Sequence, residues 1–147
     1  MRLVPFDETY LDRSHGWLSD PEIAHLTRTP AVGRAAQQAW FDELGSRHDY
    51  WVQGIECDGN PAGAVGLRRI TADNCEFFIY LGEREYWGRG VFRQVLPAVL
   101  AEARRRGLSQ VTSKIGEDNT RSIRAHEALG WVRSGREDDV VVGSWTL

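Results

Sequence analysis

Two glycines around one arginine, Gly88-Arg89-Gly90, stand between an apolar run, Glu76 to Leu81, and a periodic stretch that follows at once. Strand, glycine turn and helix start in that order suit an anion. Glycine lets the backbone approach a phosphate closely, and a first helical turn offers unpaired N–H groups and the positive end of its dipole. The same two glycines also fit a tight turn that only begins a helix. Further along, Asn119, Ser122 and His126 succeed one another at steps of three and four, so on a helix they share a face. Asparagine is a preferred helix cap, and an imidazole of unperturbed pKa about 6.5 exchanges protons near neutral pH.

These residues need a scaffold, and the chain outlines one. A short strand is expected over Arg2 to Pro5 and a helix over Thr9 to Leu18. Asp20 as cap, Pro21 at the first helical position and Glu22 in the first turn start a second helix, which runs to Thr27. A third runs from Arg34 to Gly45 with Ala36, Trp40, Phe41 and Leu44 as its apolar stripe. Strands over Tyr50–Cys57 and Ala62–Ile70 flank the turn Asp58-Gly59-Asn60-Pro61, and Cys75 to Leu81 forms a third strand of the meander. After the glycine turn, Phe92, Val95, Leu96, Val99 and Ala103 mark a helix that Pro97 should kink and Gly107 should stop. A strand over Gln110–Ile115, a helix from Asn119 to Leu129 closed by Gly130, and strands over Trp131–Ser134 and Val140–Thr146 complete the chain.

At 147 residues and 41% hydrophobic this is one domain, 1–147, able to bury roughly 70% of the surface of its unfolded chain. A net charge of −3 argues against general nucleic-acid binding, which leaves a basic footprint, and suits a cationic substrate better. Cys57 and Cys75 lack metal-ligand spacing, no targeting pattern opens the chain, and no apolar run approaches the ~20 residues that cross a bilayer. A reduced, cytoplasmic protein with no metal and no membrane partner is expected. The run Arg104-Arg105-Arg106 reads as a solvated last helical turn that complements the dipole.

Tyr86-Trp87-Gly88-Arg89-Gly90, together with Asn119-Thr120-Arg121-Ser122-Ile123-Arg124-Ala125-His126-Glu127-Ala128-Leu129-Gly130-Trp131, resembles the Gcn5-related N-acetyltransferase (GNAT) superfamily, above all its RimJ/RimL and amino-sugar types. The order of elements matches over nearly the whole chain. The resemblance implies an α+β fold: a mixed, mostly antiparallel twisted sheet of six to seven strands, flanked by helices, with a splayed central strand pair. It implies acetyl-CoA, whose pyrophosphate would rest on Trp87, Gly88, Arg89, Gly90, Val91, Phe92 and Arg93. The pantetheine arm would pair with Tyr80, Leu81 and Gly82 like an extra strand, a glycine being what a bulge or break there calls for. Asn119 and Ser122 would meet the same arm. Glu85 stands where the family pattern has Gln or Arg, a departure that Arg84 beside it could offset.

His126 stands where the family most often has the tyrosine that protonates the departing thiolate. Acetyl transfer to an amine also needs a route for the ammonium proton, and Glu76, mid-strand and expected to be buried, is the preferred base, with Glu83 second. Trp17, Asp20, His25 and Trp40 lie in the first helices, which in similar proteins wall the acceptor pocket. The expected activity is direct acetyl transfer to a primary amine of a small molecule such as an amino sugar, by a monomer or homodimer. A protein N-terminal acetyltransferase acting on a peptide N-terminus, and a non-catalytic acyl-CoA-binding module, are the alternatives.

Overall fold

A computed structural model describes residues 1–147. The order is β1 (Arg2–Pro5), α1 (Glu8–Ser19), α2 (Pro21–Thr27), α3 (Arg34–Glu43), β2 (Tyr50–Cys57), β3 (Asn60–Arg68), β4 (Asn74–Leu81), α4 (Val91–Arg105), β5 (Gln110–Gly116), α5 (Thr120–Ala128), β6 (Val132–Glu137) and β7 (Val140–Thr146). Local chemistry sets these boundaries. Asp7 caps α1, its carboxylate accepting from Tyr10 N at 3.2 Å, and Asp20 caps α2 by accepting from Glu22 N at 2.9 Å. Two short 3₁₀ turns, Leu44–Ser46 and Arg84–Tyr86, add to the elements the sequence outlines. The helix α4 runs through Pro97, which sits on its exposed side, where water can satisfy the carbonyl left without a partner.

The seven strands form one sheet in the order β1-β2-β3-β4-β5-β7-β6. Every neighbouring pair is antiparallel except β4 and β5. A parallel pair needs a long crossover, and α4 supplies it. β4 pairs with β5 only from Asn74 to Phe77, against Gln110 to Ser113. Beyond that point β4 continues along β3 to Leu81 and β5 continues along β7 to Gly116, so the sheet opens into a V at its middle.

Side-chain alternation then fixes the two faces. Phe77 of β4 joins Val95 and Val99 of α4, with Val65, Val111 and Trp145, in the principal core. Glu76, Phe78 and Tyr80 leave the other face, where α1 lies. The Tyr10 hydroxyl of α1 donates to Ile55 O at 3.0 Å, and Trp17 packs edge-on to Tyr80. Cys57 and Cys75 are buried and unpaired, and burial pushes the Cys75 thiol up to about 11. No helix is long and apolar enough to cross a membrane.

Candidate active site

The turn ahead of α4 is shaped for an anion. Gly88 and Gly90 hold φ of 73° and 75°, the left-handed region that side chains resist. Gly90 is the N-cap of α4 and no side chain caps it. The first helical hydrogen bond is Gln94 N to Gly90 O at 3.2 Å, so the N–H groups of Val91, Phe92 and Arg93 point outward from the helix end. A Cβ at Gly88 would stand 4.0 Å from Arg121 Nη1, and one at Gly90 would stand 3.8 Å from Arg93 Nη2. Bare amides, a helix dipole and two guanidiniums converge on one cradle, which is the donor set a pyrophosphate requires. Arg84 contributes nothing to it, because Asp20 and Glu22 hold its guanidinium at 2.9 and 2.8 Å. Arg89 turns aside over the Tyr86 ring.

A cavity of about 650 Å³ runs from this cradle along the open side of β4 to α5. Of the residues expected at the cofactor, Tyr80, Leu81, Trp87, Gly88 and Gly90 line it, as do Val91, Phe92, Arg93, Asn119 and Ser122; Arg89 and Gly82 do not. Gly82 is no bulge. It follows Leu81, the last residue of β4, with its N–H still donating to Ala62 O at 2.8 Å, and a Cβ there would meet the Trp17 ring at 2.0 Å. Close approach of an indole, and not a break in the strand, is why that position is glycine. Trp87 Nε1 donates to Leu81 O at 3.0 Å, which closes one carbonyl near the end of β4.

α5 is capped by Asn119, whose side-chain oxygen accepts from Ser122 N at 3.4 Å, leaving its amide N–H₂ available. His126 is 2% exposed, stacked between Phe92 at 4.5 Å and Trp145 at 5.3 Å. Its Nδ1 lies 2.7 Å from Ser122 O, an acceptor only, so Nδ1 carries the proton and Nε2 offers a lone pair. The Ser113 hydroxyl, 3.1 Å away, therefore donates to Nε2. Burial lowers the imidazole pKa to about 4, against which the Ser122 carbonyl acts weakly. At neutral pH His126 is thus an uncharged acceptor, and not the imidazolium acid the sequence suggests. Ser113, which the sequence marks only as sharing one side of a strand with Val111 and Ile115, is the last residue of β5 to pair with β4 and sits at the vertex of the V.

On the other side of the vertex lies a second cavity of about 600 Å³, between the sheet and α1 to α3. Ile79, Tyr80, Asn119 and Ser122 line both cavities, so the two meet at the splay. Burial raises the Tyr80 phenol, which stays protonated. Ser113 and His126 face the second cavity, as do Trp40, Tyr50 and Phe78. Trp40 is the one aromatic residue of the early helices in the sequence reading that lines it. Trp17 is 6% exposed and its Nε1 donates to Glu83 at 2.9 Å, which occupies both residues away from the cavity. Asp20 is spent on the α2 cap and on Arg84. His25 pairs with Asp118 at 2.6 Å on the surface; hydrogen bonds from His25 and then Arg28 hold that carboxyl down to about 2. Glu76 is buried as expected, but Arg68 at 3.3 Å and Arg69 both grip its carboxylate, and it lines neither cavity. A carboxylate neutralised in this way is a structural tie between β3 and β4.

Residues 1–132 match the model of the acetyltransferase (GNAT) domain family. Aminoglycoside N(6')-acetyltransferase type 1 of Salmonella typhimurium is 28% identical over 152 residues, covering 92% of this chain and 94% of that protein. An uncharacterized protein of Methanocaldococcus jannaschii is 33% identical over 79 residues, 52% of this chain; the match spans only 16% of that protein. Among solved structures, spermidine N-acetyltransferase from Vibrio cholerae, in complex with CoA and spermine, superposes with a TM-score of 0.84 at 15% identity, covering 97% of this chain and 92% of that one. That likeness speaks for the fold alone.

Proposed function

Because this chain belongs to the acetyltransferase (GNAT) family and is an acetyl-CoA-dependent N-acetyltransferase, we propose that it acetylates the primary amine of a small molecule held in the cavity under α1 to α3. The observation that carries this reading is the meeting of two cavities at the vertex of the sheet. One begins at a phosphate cradle and the other ends at a buried proton-handling pair. Helices roof the second cavity, which suits a small acceptor better than an extended peptide.

Acetyl-CoA supplies the acyl group as an activated thioester. The amides of Val91, Phe92 and Arg93 bind its pyrophosphate, and Arg93 and Arg121 neutralise the charge. The side-chain amide of Asn119 and the open edge of β4 direct its arm towards the vertex. There Ser113, its proton committed to His126, turns its lone pairs to the cavity and accepts an N–H of the amine, which aims the nitrogen lone pair. As the C–N bond forms and the thioester C–S bond breaks, the proton that nitrogen sheds passes through Ser113 Oγ to His126 Nε2 and returns by the same path to the departing thiolate, which leaves as the thiol and restores the neutral imidazole. Proton handling by a positioned pair of this kind is worth on the order of 100-fold.

Release of coenzyme A thiol over a panel of amines tests the reading. Acceptor-dependent release is expected, with Ser113→Ala lowering kcat on the order of 100-fold and leaving the KM for acetyl-CoA nearly unchanged. Thermal stabilisation by acetyl-CoA with no thiol release from any amine would make the chain a carrier and not a transferase.

A further inference from the structure

Resting on the assignment of the second cavity as the acceptor site, we infer that the acceptor is an apolar or aromatic amine that also carries a negatively charged group, a carboxylate or a phosphate, and is not a polycation. Among the 28 residues that line this cavity there is no aspartate and no glutamate. Its two formal charges are both positive, Arg68 and Lys114. A polyamine or an aminoglycoside entering it would leave water with several ammonium groups and find no carboxylate to meet them, whereas an anion would find a cation waiting. The net charge of −3, which on its own favours cationic ligands, is spread over surfaces that the cavity does not share.

Arg68 has charge to spare. It and Arg69 share the single carboxylate of Glu76, which leaves one positive charge uncompensated. Only Nε of Arg68 reaches that carboxylate, at 3.3 Å; the forked end of the guanidinium lies beside the Tyr50 hydroxyl and keeps further N–H donors for a ligand. The same guanidinium lies 5.2 Å over the Phe78 ring, and Phe78 continues through Tyr50 to Trp40 at centroid spacings of 5.8 and 5.5 Å. An aromatic wall with a cation at one end selects a flat or apolar body with an anion at one end. Lys114 is already paired with Glu137 at 3.1 Å, which makes Arg68 the primary anion partner.

The spacing sets a length. Arg68 is on β3 and Ser113 on β5, two strands apart, roughly 10 Å of backbone separation. Their side chains leave opposite faces of the sheet, so the ligand passes through the splay with its amine leading. Amine and anion are therefore held several bonds apart.

Matched acceptors test this in the thiol-release assay. The carboxylate arm compares 4-(2-aminoethyl)benzoate with 2-phenylethylamine; the phosphate arm compares tyramine O-phosphate with tyramine; spermidine and kanamycin are the polycations. In at least one arm the anionic member should exceed its neutral twin in kcat/KM by roughly tenfold to a hundredfold, the worth of one charge-assisted hydrogen-bonded pair, and the arm that responds identifies the anion. Arg68→Gln should bring that ratio close to one and Arg68→Lys should restore part of it, with stabilisation by acetyl-CoA showing that each variant is folded. A preference for spermidine, kanamycin or the neutral twins, or an anionic preference that survives Arg68→Gln, overturns the inference while leaving the transferase intact. Absence of release from every acceptor overturns both.

Discussion

His126 binds protons less readily in the folded chain than in the unfolded one, and stability should record the difference. Its folded pKa of about 4 lies below the unperturbed value of about 6.5. Between those limits the unfolded state holds more protons, so stability rises with pH across the window and is lost as pH falls through it. The full difference is on the order of 3 kcal/mol. Urea midpoints compared at pH 7 and pH 5 should fall for the native chain and fall less for His126→Phe, which keeps the stack with Phe92 and Trp145 without a titrating group. Equal slopes in the two proteins would show that the imidazole is not buried as described. Residue identity in the sequence pointed to His126 and its face-mates, because helical spacing is local. It could not show that Ser122 O and Ser113 Oγ take up both ring nitrogens. Nor could it show Glu76 between Arg68 and Arg69, since that contact depends on the β3–β4 register, in which Arg68 stands opposite Glu76.

At the level of elements, the start of α4 does the recognising, and its glycines separate backbone strain from ligand contact. Gly90 and Gly107 have φ of 75° and 78°, one at each end of the helix. An alanine at either must adopt the left-handed region at roughly 1–2 kcal/mol. Gly90→Ala and Gly107→Ala should therefore lower the urea midpoint alike, but only Gly90→Ala should weaken acetyl-CoA, by about tenfold or more. Equal affinity in both variants would remove the pyrophosphate from this turn. Elements such as α2 and α5 were legible because their caps are written in single residues, Asp20 with Pro21, and Asn119 with Gly130. The 3₁₀ turn at Arg84–Tyr86 was not, because what holds it, the Arg84 pair with Asp20 and Glu22, joins residues far apart in the chain.

For the whole molecule, one parallel pair in an otherwise antiparallel sheet creates the V, and the V creates two cavities that meet. The order of elements and the resemblance carried by the two glycines and the α5 motif anticipated this architecture. The acceptor cavity was hidden, because its wall gathers Trp40, Tyr50, Arg68 and Phe78 from four separate elements, α3, β2, β3 and β4, and only the folded sheet brings them together. Amide hydrogen exchange of the intact chain with and without saturating acetyl-CoA reads the central claim most directly. Val91, Phe92 and Arg93 should exchange markedly more slowly with the ligand bound, while the exposed strand β6 should be unchanged. Ligand binding that leaves those three amides exchanging at their free rates would contradict the cradle on which the function rests.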